Sequence, residues 1–281
     1  LDYFLNECTN PEFFNQIVFQ EFLQNGIVLT SSNTIFHQVL NTALLISRYS
    51  NDIYAVNNFL LNIFYIISRN WTIAEIIIFN SPFLDYSKDW IESPSANKET
   101  LISLMHIFDR LFYTENEIYE IFVDESLSQI LFVYDNYLDI SDELEYITIS
   151  ALINLICNLK YNQKCIQKLV KKKRIKRIFE QIFDGTFRIS RIYCDLILTI
   201  SSYADDYDKW LSPEVLDKVF IFMSKMKGEF VNYALGRFKL IFRRQKYENR
   251  HDFFDTFENC GGSDLLLEIM ESGEDEKIAK K

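Results

Sequence analysis

Apolar residues recur at helical spacing in five long segments of the chain. In the third segment, Ile149, Leu152, Ile153, Ile156 and Leu159 occupy positions i, i+3, i+4, i+7 and i+10, which lie on one face of a helix. The five segments are Ala55–Arg69, Thr100–Tyr113, Leu144–Leu159, Ser190–Tyr203 and Phe230–Arg243. The chain has only 7 Gly and 4 Pro, which leaves little material for tight turns. The pattern predicts an all-α protein.

A second set of helices is predicted between the first, and several of its members break into a short helix followed by a longer one. The set comprises Thr34–Arg48, Ile73–Tyr86, Glu117–Leu138, Lys164–Phe183, Pro213–Met226 and His251–Met270. Pro213 after Ser212 indicates a first turn with a serine N-cap. Gly261-Gly262 indicates a helix stop and restart, with Ser263 as the cap of the new helix. The polar stretch Ser87–Lys98 is predicted to be a loop inserted between repeats.

The long helices repeat along the chain with a period of forty-odd residues. Aligned by their apolar registers, they place Asn62, His106, Asn154, Asp195 and Arg237 at equivalent positions, at steps of 44, 48, 41 and 42 residues. Armadillo and HEAT repeats have periods of roughly 40–47 residues. One helical pair cannot bury its apolar face alone, but stacked pairs bury their apolar faces against one another. We therefore predict a right-handed superhelical α-solenoid of about six armadillo or HEAT-like repeats.

We expect this solenoid to form a single repeat domain over residues 1–281. The chain opens at Leu1 and stops inside a helix-like pattern at Lys281, as a fragment of a longer chain would. A compact helical bundle is the structural alternative, because the repeat spacing is irregular.

Two stretches carry a family resemblance. Residues 150–157 (SALINLIC) resemble the third, groove-lining helix of an armadillo repeat, and residues 257–270 (FENCGGSDLLLEIM) are similar to a repeat boundary near the end of the importin-α array. The resemblance implies an armadillo fold. It also implies a nuclear-import adaptor, which would hold basic peptides in a concave groove lined by paired Trp and Asn side chains four residues apart.

The resemblance assigns partner-binding positions in each repeat. Asn62 and Asn154 match the Asn positions, whereas Asn58 and Ser150 stand where the family has Trp. The other repeats carry Ile102 with His106, Arg191 with Asp195, and Tyr233 with Arg237. Because none of these is Trp, the aromatic slots for lysine stems are missing. The predicted partner-binding set is Asn58, Asn62, His106, Ser150, Asn154, Arg191, Asp195, Tyr233 and Arg237.

Charge is unevenly distributed along the chain. The net charge is −11, with 6 basic against 21 acidic residues in 1–160 and 23 against 19 in 161–281. The acidic first half favours a basic protein or extended peptide as partner and argues against nucleic acid. A basic run, Lys171–Arg177, is either the solvated face of a buried helix or a docking face for an acidic protein. Its charged members are Lys171, Lys172, Lys173, Arg174, Lys176 and Arg177.

Sequence patterns of catalysis, metal binding and membrane insertion are missing. The five Cys show no C-x-x-C spacing, the three His are far apart, and no glycine-rich phosphate loop occurs. Asp205-Asp206-Tyr207-Asp208 lacks the glycine and glutamate of a calcium loop. Apolar runs are too short to span a bilayer. We therefore expect no enzyme activity, cofactor, metal or membrane span.

The sequence favours a protein-binding adaptor or scaffold with a concave armadillo groove, importin-α-like but without the Trp ladder. The alternative is a non-catalytic regulatory or structural subunit that docks through Lys171–Arg177. An enzyme with a site built from dispersed residues is the third and least supported hypothesis. The five Cys are scattered, odd in number and without C-x-x-C spacing, which predicts a cytoplasmic or nuclear location. The oligomeric state and the partner's identity are not encoded in these patterns.

Overall fold

A computed structural model describes residues 60, 83–93, 96–112, 120–158, 162–204, 210–226, 228–248 and 252–271. The chain divides into two compact units, Leu1–Leu155 and Ile156–Lys281. The predicted helices Thr34–Arg48 and Ala55–Arg69, except Leu60, and most of Ile73–Tyr86 lie outside the described residues. The Asp205–Asp208 stretch also lies outside them.

The first unit contains helices packed around apolar side chains. They are α1 (Phe83–Glu92), α2 (Lys98–Phe112), α3 (Glu120–Asn136), a 3₁₀ turn (Leu138–Ile140) and α4 (Asp142–Cys157), whose last two residues belong to the second unit. Asn97 caps α2: its Oδ1 accepts a hydrogen bond from the backbone N–H of Thr100 at 2.9 Å. Phe83 of α1 and Phe108 of α2 are fully buried and meet edge to face, which fixes the contact of these two helices.

Seven further helices lie in the described residues of the second unit. They are α5 (Asn162–Leu169), α6 (Lys172–Asp184), α7 (Phe187–Tyr203), α8 (Pro213–Lys225), α9 (Glu229–Glu248), α10 (Asp252–Asn259) and α11 (Gly262–Glu271). Helix α7 is its centre and packs most extensively against α6 and α9. Thr199, Ser201 and Ser202 of α7 are buried, and each donates its hydroxyl to the carbonyl four residues earlier, which removes the cost of burying them.

The all-α prediction is confirmed, since every regular element among the described residues is a helix. The predicted stop and restart within His251–Met270 occurs between α10 and α11. Lys164–Phe183 also divides into a short and a longer helix, α5 and α6, as expected of several members of this set. Ser212 is the N-cap residue of α8 and Pro213 opens the helix, as predicted, although the Ser212 side chain makes no capping bond to it. Gly261 has φ 79°, the left-handed conformation that ends a helix.

Two local predictions were wrong. The loop Ser87–Lys98 is shorter than expected, because α1 continues to Glu92 with Ser87 and Ile91 buried on its inner face. Ser263 does not cap α11, which already begins at Gly262; its hydroxyl bonds the Glu258 carboxylate instead. Position 262 suits glycine, because a Cβ there would overlap the ring of Phe257.

Candidate functional site

The first unit holds a polar cluster at the predicted groove positions of α2 and α4. The Asp109 cluster consists of His106 and Asp109 on α2, with Ser150 and Asn154 on α4. Ser150 Oγ donates to Asp109 Oδ1 at 2.7 Å, and Asn154 Nδ2 donates to the same oxygen at 2.8 Å and to the Asp109 carbonyl at 3.3 Å. The i, i+4 spacing of Ser150 and Asn154 puts both donors on one face of α4.

Burial sets the protonation behaviour of this cluster. It raises the pKa of Asp109 above its ordinary value, against the hydrogen bond from Ser150 and the charge of His106. Burial also lowers the pKa of His106, with Asp109 and Glu143 opposing the shift. The neutral imidazole is therefore favoured, and the carboxylate is held chiefly by neutral donors.

Only part of the hydrogen-bonding capacity of Asn154 is used within the cluster. Its Nδ2 is engaged by Asp109, while its Oδ1 accepts no hydrogen bond from the described residues. Ser150, Asn154 and His106 are all half-buried. An incoming backbone N–H therefore has an acceptor at Asn154 that its surroundings do not occupy.

The second unit holds a cluster of different chemistry on α7 and α9. The Asp195 cluster consists of Arg191, Asp195, Thr199, Tyr203, Tyr233 and Arg237, with Cys157 at the end of α4. Arg191 Nη2 lies 3.5 Å from Asp195 Oδ2. Tyr233 donates its hydroxyl to the Asp195 carbonyl at 3.3 Å and also bonds the Thr199 hydroxyl.

Arg237 is the centre of this second cluster. Its guanidinium carbon lies 4.7 Å from the ring centroid of Tyr233 and 5.6 Å from that of Tyr203. Its Nη1 donates to the Tyr203 hydroxyl at 3.2 Å, and its Nη2 donates to Cys157 Sγ at 2.8 Å. Arg237 thus joins α9 to α7 and to the end of α4 through its stacked plane and its N–H groups.

Asp195 is the most strongly perturbed acid of the cluster. Burial raises the pKa of Asp195 to about 7, against the charges of Arg191 and Arg237. Its Oδ1 is buried and has no hydrogen-bond partner among the described residues. The arginines therefore compensate the lost hydration only partly, and the neutral acid persists to near-neutral pH.

Cys157 does not have the properties of an activated nucleophile. Burial raises the pKa of its thiol, and the neighbouring Arg237 offsets this only in part. Burial likewise raises the pKa of Tyr233. A reactive thiol requires a lowered pKa, so the cluster is suited to binding and packing.

The basic run lies at the start of α6 and just before it. Lys171, Lys172, Lys173 and Lys176 are exposed, and Lys176 pairs with Glu180 at 3.4 Å. Arg174 departs from the prediction: it is only 6% exposed, and its Nη1 donates to the Lys168 carbonyl at 2.6 Å, at the end of α5. Arg177 is half-buried. The exposed basic face therefore consists of the four lysines.

The structure brings seven of the predicted partner-binding residues into these two clusters. Asn58 and Asn62 lie outside the described residues. Sequence analysis missed the role of Asp109, although it follows His106 by three residues and so shares its helix face. It also missed Thr199, Tyr203 and Cys157, because their contacts join helices that the pattern alone does not pair.

Sequence comparison identifies no relative: no protein-family model matches, and no curated protein is detectably similar. Structure comparison does find solved structures with a similar fold. A designed armadillo repeat protein has a TM-score of 0.62 and 16% identity, over 84% of this chain and 94% of the designed one. The fold is that of an armadillo repeat protein. The predicted architecture is confirmed, whereas similarity to importin-α in particular is not shown.

Neither a metal site nor a membrane helix is found in the described part of the chain. No group of three or more His, Cys, Asp or Glu side chains there could hold a metal ion. No described helix is long and apolar enough to cross a bilayer.

Proposed function

We propose that this protein is a non-catalytic scaffold that binds another polypeptide at the polar clusters of its repeat helices. An armadillo fold stacks repeats that contact only their neighbours and leaves extended surfaces for partners. The observation that carries the proposal is the position of the two clusters. Half-buried polar side chains stand at the predicted groove positions in both units, where purely structural positions would be apolar.

Asn154 is the residue on which the proposal depends most. Its Nδ2 is fixed by Asp109, so the amide plane is held before any partner arrives. Its Oδ1 is then oriented to accept a hydrogen bond from the backbone of an extended segment. Preorganisation of this kind reduces the entropy lost on binding.

The proposal is tested by co-purification with quantitative mass spectrometry on three forms: wild type, Asn154→Lys and Asn136→Lys. Asn136 is an exposed residue at the end of α3 and belongs to neither cluster, so the second variant adds the same charge as a control. We expect specific partners to be depleted about tenfold by Asn154→Lys and retained by Asn136→Lys, with unchanged helicity in all forms. Identical partner sets for all three would contradict the proposal.

The finer hypothesis of nuclear import remains a proposal with less support. Ser150, Arg191 and Tyr233 stand where the importin-α ladder has Trp. Tyr233 is already stacked on Arg237 of its own chain and is not available to sandwich a lysine stem. A basic peptide as partner is proposed on the acidic first half, and a cytoplasmic or nuclear location on the scattered cysteines, which are odd in number.

A second candidate function uses the exposed lysines of α6. Lys171, Lys172 and Lys173 are exposed and consecutive, which suits docking onto an acidic protein. Replacing all three with Gln is expected to weaken assembly and to reduce its dependence on salt. If only this triple variant loses partners while Asn154→Lys keeps them, the chain is a subunit that docks through this face.

A further inference from the structure

An apolar groove lies between α9 and α11, and no residue of either polar cluster lines it. Its volume is about 440 Å³, and its walls include Phe238 and Phe242 of α9, Phe257 of α10, and Leu266, Ile269 and Met270 of α11. Met270 is 55% exposed, and Phe254, which packs on Phe242 at 6.1 Å, is 48% exposed. The apolar surface therefore continues out of the groove, as it does where a second helix docks.

The charged side chains that line this groove are all cations. Lys239, Arg243 and Lys246 follow one another on α9 at i, i+4 and i+7, so they form one row along two turns, about 10 Å long. All three are exposed, and no carboxylate of the described residues lies within ion-pair distance of them. The acidic residues of α11, Asp264, Glu268 and Glu271, are not among the lining residues.

We propose that this groove binds an amphipathic helix of a partner protein that carries carboxylates along one flank of its apolar face. Apolar side chains at i, i+3, i+4 and i+7 of the guest would fill the space between α9 and α11. Glutamates at the same helical spacing would then face Lys239, Arg243 and Lys246. The charge pattern fixes the orientation of the guest as well as its chemistry.

The net charge of the protein makes this preference easy to detect. Because the whole chain carries −11, long-range electrostatics favour a basic ligand over an acidic one. Preference for an acidic helix therefore requires a local row of cations. This inference uses residues that belong to neither polar cluster, so the two proposals fail or succeed independently.

The test is fluorescence anisotropy with a designed helical peptide of about 14 residues, four turns long, with Leu at helical spacing and Glu on one flank. A second peptide has Gln in place of every Glu. The full chain should bind the Glu peptide about tenfold more tightly than the Gln peptide, and added salt should reduce the difference. Equal binding of the two peptides would overturn the proposal.

Two pairs of matched variants locate the site. Changing Lys239, Arg243 and Lys246 to Glu should weaken the binding of the Glu peptide at least about tenfold. Changing Lys171, Lys172 and Lys173 to Glu should alter its affinity less than about twofold. Met270→Asp should also abolish binding, with Ile221→Asp as its control, because Ile221 is 44% exposed on α8. Equal effects within either pair would show that the groove is not the site.

Other occupants give distinct outcomes, each of which contradicts a partner helix. If the protein dimerises in sedimentation and the Lys239, Arg243 and Lys246 reversal makes it monomeric, the occupant is a second copy. If the Glu peptide binds only after residues 272–281 are removed, the chain covers its own groove. Circular dichroism of each variant verifies that the helices are retained.

Discussion

Each polar cluster contains a carboxyl group that is partly or fully removed from water, and the two groups have different neighbours. Asp109 in the first unit is held by two neutral donors, Ser150 and Asn154, at a single oxygen. Asp195 in the second unit lies beside arginines, yet one of its oxygens has no partner among the described residues. Burial raises the pKa of both carboxyl groups, and it is opposed chiefly by the Ser150 hydrogen bond at Asp109 and by the Arg191 charge at Asp195.

The largest expected effect is at Asp195 and depends on pH. An unfolded aspartic acid ionises near pH 4, but the folded pKa is about 7, so the folded protein binds the extra proton between these values. The contribution of Asp195 to stability is therefore full below about pH 4 and is lost as pH rises to about 7. Asp195→Asn removes this dependence. The free energy of unfolding of the variant minus that of wild type should therefore be about 2–4 kcal/mol larger at pH 8 than at pH 4.

Urea unfolding of wild type and Asp195→Asn from pH 4 to pH 8 measures this effect as a difference, which cancels the contributions of other groups. If the difference in free energy of unfolding between the two proteins is the same at every pH, the Asp195 pKa is close to normal. Arg191 would then fully compensate the burial of the Asp195 carboxylate.

A somewhat smaller effect is expected at Arg237, which joins three helices. Arg237→Ala removes two hydrogen bonds and two stacked tyrosine contacts, so it should destabilise the protein by about 2–3 kcal/mol. Arg243→Ala, an exposed change on the same helix, should cost less than about 0.5 kcal/mol. Equal midpoints in urea for the two variants would mean that the arginine of the second cluster does not hold its helices together.

The smallest effects are expected in the first cluster. Asp109→Asn keeps an oxygen that can accept from Ser150 and Asn154, so the free energy of unfolding at pH 7 should change by less than about 0.5 kcal/mol. Ser150→Ala, which removes a donor, should cost about 1 kcal/mol. If Asp109→Asn is instead the more damaging change, the negative charge of Asp109 matters and the contrast between the clusters disappears.

The helices were predictable from sequence because their apolar spacing is regular, and aligning those registers put polar residues at equivalent positions of successive long helices. The second half of α1 was missed because residues 85–89 are mostly polar. The hydrogen bond that accompanies the burial of Ser87 is made to Gln129 Oε1 at 2.7 Å, 42 residues further along the chain. Arg174 was assigned to the surface for a similar reason, since its acceptor is a backbone carbonyl of the preceding helix.

The chemistry of the clusters was harder to predict from the sequence than their position along the helices. The sequence placed Asp195 and Arg237 at equivalent positions, but the raised pKa of Asp195 depends on how completely α7 is surrounded. Asp109 was read as one acidic residue among many, because its donors come from α4, 41 and 45 residues further along. Contacts between residues so far apart in the chain form the site, but they produce no recognisable pattern within any one segment of the sequence.

The most direct test of the central claim is NMR of the Asn154 side-chain amide during titration with a partner segment recovered by co-purification. The resonance is assigned by its absence in Asn154→Asp. We expect it to shift in proportion to occupancy, with the Asn136 amide unmoved as the internal reference. Saturated binding that leaves the Asn154 amide unchanged would show that the partner is held elsewhere, and the scaffold would then not use its polar clusters.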